Sequence, residues 1–88
     1  MTTKTQAIAQ YPDEIIPMET LIEIAENERK SWLIGRETLA IRYRVHARNN
    51  NKQGMDECTK GMEECENALA EIRKILAEYR KAGDKATE

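Results

Sequence analysis

The chain has 88 residues, a net charge of −2, 34% charged residues and a mean hydropathy of −0.76. This acidity argues against general nucleic-acid binding, and no apolar run approaches the roughly 18 residues that a membrane span needs. We expect a cytoplasmic protein of one domain with free thiols. Only 5% of residues are aromatic, so a core shared between subunits is favoured over a private one.

Residues 1–16 are polar for most of their length and are predicted to form a flexible arm. Ile15 and Ile16 are an apolar pair between two prolines. They either fold back over the first helix as a staple or form an exposed clip for a partner. Tyr11, Ile15 and Ile16 are therefore candidate partner-binding residues.

The first helix is predicted over residues 17–49, because proline is tolerated at a helix start and asparagines suit its end. One heptad series runs along it, at Met18, Ala25, Trp32, Leu39 and His46. Other apolar residues spread around the circumference, at Leu33, Ile34, Ala40, Ile41, Tyr43 and Val45. A helix that is apolar on several sides has more than one neighbour. This predicts assembly into a dimer or tetramer.

The second helix is predicted over residues 55–82, after a turn at 50–54 and before a disordered tail at 83–88. Its apolar residues alternate spacings of three and four over four heptads, which is the pattern of a helix-packing seam. The seam consists of Met55, Cys58, Met62, Cys65, Leu69, Ile72, Leu76 and Tyr79. The fold prediction is an all-α, antiparallel two-helix hairpin that assembles into a dimeric or tetrameric helical bundle.

Charge order along the chain supports the antiparallel arrangement. The first helix is acidic at its start and basic at its end, and the second helix has the same order. An antiparallel pair therefore places opposite charges side by side, whereas a parallel pair opposes like charges.

The basic end of the first helix allows three interpretations. Arg44 and Arg48 share a helix face, and they either pair with acids of the second helix, bind an acidic protein or bind nucleic acid. Ion pairing within the hairpin is favoured. Trp32 is either a partner-binding anchor or a core residue, and the core or a subunit interface is favoured.

Catalytic and metal sites find no support in the sequence. His46 has no Cys or His at a neighbouring helical position, so a structural role is expected. Cys58 and Cys65 are about 10 Å apart on one helix face, too far for a mutual disulfide. They are predicted to be buried thiols, with an intersubunit disulfide as the alternative on oxidation. We expect no enzyme activity and no cofactor.

The hairpin layout, the small size, the acidity and the loose N-terminal arm resemble small accessory proteins of bacteriophages. The resemblance is to short helical antirepressors, which bind a repressor and remove it from DNA. It covers most of the chain as a layout and carries over no individual residue. It implies a non-enzymatic module that binds itself and a regulatory protein. The alternatives are a nucleotide- or nucleic-acid-binding protein using Arg44 and Arg48, and a structural coiled-coil spacer.

Overall fold

The computed structural model describes residues 15–87, and two α-helices packed side by side account for nearly all of them. Helix α1 spans Met18–Arg48 and helix α2 spans Lys52–Thr87, with no strand in the described range. The molecule measures 58 × 26 × 14 Å. Its radius of gyration is 18.1 Å, against about 12 Å expected for a compact chain of this length. The predicted all-α hairpin is confirmed, and it forms a single layer of helices.

The turn between the helices is shorter than predicted and is built from three asparagines. The Asn51 amide donates to the carbonyl of His46 at 2.8 Å, and the Asn50 amide donates to that of Ala47 at 3.2 Å. Together with a positive φ of 55° at Asn50, these bonds form a Schellman motif. Asparagine is one of the few residues other than glycine that adopts this backbone region readily. The chain therefore reverses within residues 49–51.

Helix α2 begins earlier than the predicted start at residue 55. Asn51 is its N-cap, since the side-chain Oδ1 accepts a hydrogen bond from the Gly54 amide at 3.0 Å. Gly54 is thus inside the helix, and the interpretation of this glycine as part of the turn was wrong. Gly54 is buried beneath His46, and a Cβ on it would lie 2.5 Å from the Nδ1 atom of that side chain. Glycine suits this position because the helices pack closely there. In the sequence, such a glycine looks the same as one that forms a turn.

Helix α2 also continues past the predicted end at residue 82, as far as Thr87. The predicted tail at 83–88 is therefore helical over most of its length, while residue 88 lies outside the described range. A single glycine at position 83 does not end the helix, and residues 84–88 contain no proline. A Cβ on Gly83 would lie 3.7 Å from Cγ of Met18, so the end of α2 packs beside the start of α1.

The hairpin core consists mainly of the predicted α2 seam. All eight seam residues are at least partly covered, and five of them are fully buried. Leu69 is the most deeply buried, at 1% exposure. The five buried seam residues are Cys58, Cys65, Leu69, Ile72 and Leu76. The heptad pattern of α2 thus identified the face that packs on α1.

Helix α1 contributes much less to this core. Leu21 is its one buried residue within the described range. The residues of the α1 heptad series, including Trp32 and Leu39, are half-buried. They lie on the side facing α2, since a Cβ on Gly61 would meet Leu39 at 2.7 Å. Four other apolar residues of α1 are each more than half exposed and lie outside this contact: Ile24, Ile34, Ile41 and Val45.

Two ion pairs join the helices along one edge of the hairpin. Arg80 of α2 binds Glu26 of α1, and Arg36 Nη1 of α1 lies 2.8 Å from Glu66 Oε2 of α2. The first pair joins the acidic start of α1 to the basic end of α2, as predicted. The antiparallel orientation is therefore confirmed, and the charge pattern contributes to it.

Candidate protein-binding surfaces

The first candidate surface is an apolar stripe on the outer side of α1. Ile34, Ile41 and Val45 are spaced by seven and four residues, which places them within roughly 40° of one another around the helix. Their exposed fractions are 68%, 62% and 52%. The stripe lies roughly 140° around α1 from Leu39, which faces α2. We call these three residues the outer stripe.

Basic side chains flank the outer stripe towards the turn. Arg44 and Arg48 line a groove of about 200 Å³ together with Ile41 and Val45. Among the described residues, neither arginine has an ion-pair partner. The predicted pairing of this basic end with acids of α2 is therefore not found. The reason is geometric, because these arginines lie on the side of α1 that faces away from α2.

A second apolar surface lies at the open end of the hairpin, away from the turn. Ile24 is 52% exposed and Ile75 is 39% exposed. The register, in which Gly35 faces Cys65 and Gly61 faces Leu39, places Ile24 level with Ile75. Both lie on the edge of the hairpin opposite the Glu26–Arg80 ion pair.

Two further exposed apolar residues precede α1 at this end. Ile15 is 56% exposed, which fits the clip interpretation, whereas Ile16 is 36% exposed and so about two thirds covered. The staple and the clip therefore both stay open as interpretations of Ile16. We call Ile15, Ile16, Ile24 and Ile75 the open-end patch.

The other residues singled out from the sequence lie in different settings. Tyr11 falls outside the described residues. Trp32 is half-buried in the heptad series that faces α2, which favours the core interpretation. The structure therefore does not bring the five described candidate partner-binding residues together at one site.

His46 and the cysteines have structural surroundings. Asn51 Nδ2 lies 3.2 Å from His46 Nδ1, and the imidazole packs over Gly54. Cys58 and Cys65 are free and buried, at 4% and 5% exposure. An enclosed thiol is poorly placed to form a bond with another subunit. The prediction of buried thiols is confirmed.

Glu26 is the titratable group with the clearest surroundings. Its pKa is held below the usual value, because Arg29 and Arg80 donate hydrogen bonds to the carboxylate. The Arg29 Nε lies 3.1 Å from Glu26 Oε1. This cluster spans both helices, because Arg29 lies on α1 and Arg80 on α2.

The outer face of α2 is polar. A shallow depression of about 590 Å³ lies over Gly61, and most of its lining is charged. No group of three or more metal-ligating residues occurs in the described part of the chain. Neither described helix is long and apolar enough to span a membrane. Comparison with models of protein families, with curated proteins and with solved structures finds no match for this chain.

From the sequence, Ile34, Ile41 and Val45 were named only as part of the excess apolar surface of α1 that predicts assembly. They were not among the partner-binding candidates, and Ile24 was not one either. The signal was present, because Ile34, Ile41 and Val45 follow the same helical spacing that identified the α2 seam. What the sequence did not reveal is which of the two apolar sides of α1 faces α2.

Proposed function

We propose that this chain is a non-enzymatic protein-binding module. It associates with itself through helix packing and binds or sequesters a regulatory protein, as an antirepressor or inhibitor does. The observation that carries the proposal is the apolar surface of α1 outside its contact with α2. Three of its β-branched residues, Ile34, Ile41 and Val45, are each more than half exposed. Exposed apolar residues grouped on one face are typical of interaction surfaces.

Two separate surfaces support two separate contacts. The outer stripe lies on the half of α1 nearer the turn, and the open-end patch lies at the other end of the hairpin. A second copy on one surface leaves the other accessible to a different protein. We assign the open-end patch to the regulatory partner, because its four exposed isoleucines lie apart from the outer stripe and stay accessible when a second copy covers that stripe.

The partner assignment is tested by affinity capture from the native source with three forms of the chain. They are the intact protein, Ile24→Glu in the open-end patch, and Thr59→Glu as the control. Thr59 is also an exposed β-branched helical residue, but it lies on α2 away from both surfaces. We expect a protein that the intact and control forms retain and that Ile24→Glu loses. Equal capture by all three forms would contradict the assignment.

Nucleic-acid binding is a second candidate, because Arg44 and Arg48 share a face and have no ion-pair partner among the described residues. Their neighbours in the groove are the apolar side chains of Ile41 and Val45, and this favours a protein. Binding that weakens steeply with salt and is lost in Arg44→Gln with Arg48→Gln would support the nucleic-acid alternative.

A further inference from the structure

We propose that the outer stripe binds the outer stripe of a second copy, with the two α1 helices antiparallel about a two-fold axis near Thr38. The inference rests on the proposed function and names the occupant of one of its two surfaces. A two-fold contact uses the same residues on both copies. The stripe must therefore match itself in both shape and charge.

The apolar residues match in one antiparallel register. When Ile34 lies opposite Val45 of the second copy, Ile41 lies opposite Thr38. Ile34 and Val45 then pair directly on both sides of the axis, and the two Ile41 residues lie about 4.5 Å apart along the helices. The positions that continue the stripe towards the start of α1 are Asn27 and Glu23, and both are exposed and polar. This register leaves them outside the contact. A register centred on Ile34 would instead place Ile41 against Asn27.

Charges along the stripe also select the antiparallel orientation. Glu37, Arg44 and Arg48 lie along the same edge of the stripe, and in an antiparallel pair like edges meet. Glu37 then lies beside Arg44 of the second copy, whereas Arg48 lies opposite Ser31. The Glu37 side chain is 66% exposed and accessible to a further partner, although Arg36 lies 3.3 Å away. In a parallel pair the edge with Arg44 would instead meet the edge with Arg42.

The size of the contact predicts its strength. About 20 residues of each α1 overlap in this register, a length of roughly 30 Å. One helix face of that length is smaller than the roughly 800 Å² per partner of a standard interface. We therefore expect a reversible dimer that dissociates in the micromolar range. Because the stripe lies almost opposite the α2 contact, the dimer extends the single layer and does not close around one core.

Cysteine cross-linking tests the register. A disulfide needs Cα atoms within about 7 Å. In the proposed dimer, Ile34→Cys mixed with Val45→Cys forms a mixed disulfide, whereas either variant alone remains uncross-linked, because each position is roughly 16 Å from its own counterpart. The intact protein, with its buried Cys58 and Cys65, measures the background.

Each other cross-linking result overturns part of the inference. Cross-linking of each variant alone, without a mixed disulfide, would indicate a parallel pair. Cross-linking of Ile34→Cys to itself alone would indicate the register centred on Ile34. No cross-link above background in any sample would overturn the contact itself.

Sedimentation equilibrium separates this inference from the proposed function. We expect Ile41→Glu to weaken the dimer at least tenfold while Thr59→Glu leaves it unchanged, with circular dichroism confirming the helical fold of both. A dimer of unchanged strength in Ile41→Glu would overturn the stripe as interface and leave self-association through another surface. If the intact chain is a monomer at all concentrations, self-association is overturned as well. Loss of a captured partner in Ile41→Glu without any effect on dimerisation would assign the stripe to a different protein.

Discussion

The two helices of this hairpin use their apolar residues differently. In α2 nearly all large apolar side chains lie on the seam that packs on α1, and five seam residues are buried. In α1 one residue is buried, while Ile24, Ile34, Ile41 and Val45 are each more than half exposed. The contact between the helices therefore explains the sequence of α2 and leaves much of α1 unexplained. That difference is the physical reason to look for partners along α1.

The glycines show the same contrast. In α2, a Cβ on Gly54 would lie 2.5 Å from His46 Nδ1, and one on Gly61 would lie 2.7 Å from Leu39 Cδ1. In α1, a Cβ on Gly35 would meet Cys65 Sγ at an ordinary 3.8 Å. A Cβ at either of these two α2 positions therefore forces His46 or Leu39 to shift, whereas position 35 accepts one at ordinary contact distance.

The largest expected effect on stability comes from a substitution in the α2 seam. Leu69→Ala removes the most deeply buried side chain, so we expect a loss of about 2–5 kcal/mol in the free energy of unfolding. Ile34→Ala, on the outer stripe, should change it by less than about 0.5 kcal/mol. Urea denaturation followed by circular dichroism measures both, at protein concentrations low enough to keep the chain monomeric. Equal losses would show that the stripe is enclosed within the hairpin itself.

The sequence was sufficient to predict the buried face of α2 and the orientation of the two helices. The alternation of apolar residues from Met55 to Tyr79 identified the buried face of α2, and the charge order gave the antiparallel orientation. The asparagines at the end of the first helix were predicted correctly as its stop. The turn was extended too far, because Gly54 was interpreted by its frequency in turns and not by its packing on His46. The partner surfaces were not predicted either. A helix with apolar residues on two sides has two equivalent seams until a neighbour occupies one of them.

A smaller effect tests why α2 carries glycine beside His46. Gly54→Ala introduces a Cβ into the imidazole, and such crowding costs about 1–3 kcal/mol. The intrinsic helix preference of alanine offsets at most about 1 kcal/mol of this. We expect a lower unfolding free energy, and a lower melting temperature in a thermal scan.

The matched second variant is His46→Ala, alone and combined with Gly54→Ala. Removing the imidazole removes the clash, so the cost of Gly54→Ala should largely disappear in that background. A cost that stays the same without His46 would show that Gly54 is required for another reason, such as the backbone at the start of α2.

The opposite result is expected for the glycine of α1. Gly35→Ala adds a methyl group at ordinary contact distance from Cys65 and removes a residue that disfavours helix. The free energy of unfolding should rise by about 0.5–1 kcal/mol. The same denaturation measurement checks this. Destabilisation would mean that α1 and α2 approach more closely at position 35 than the structure shows.

The smallest effect concerns the charged edge that joins the helices. The pKa of Glu26 is lowered by hydrogen bonds from Arg29 and Arg80, so its contribution to stability is present above the pKa of the unfolded chain, about 4.3, and is lost as the pH falls through the folded value. Glu26→Gln removes this contribution. Its unfolding free energy should therefore lie below that of the intact chain at pH 7, and the two should converge as the pH falls below about 4.

Glu64→Gln is the control, because Glu64 is exposed and has no ion pair among the described residues. It should follow the intact chain at neutral pH. A difference between Glu26→Gln and the intact chain that persists at low pH would mean that Glu26 acts through packing of its side chain and not through its charge. In that case the ion pairs would be a consequence of the antiparallel orientation and would not stabilise it. The apolar seam and the short asparagine turn would then determine the orientation of the helices.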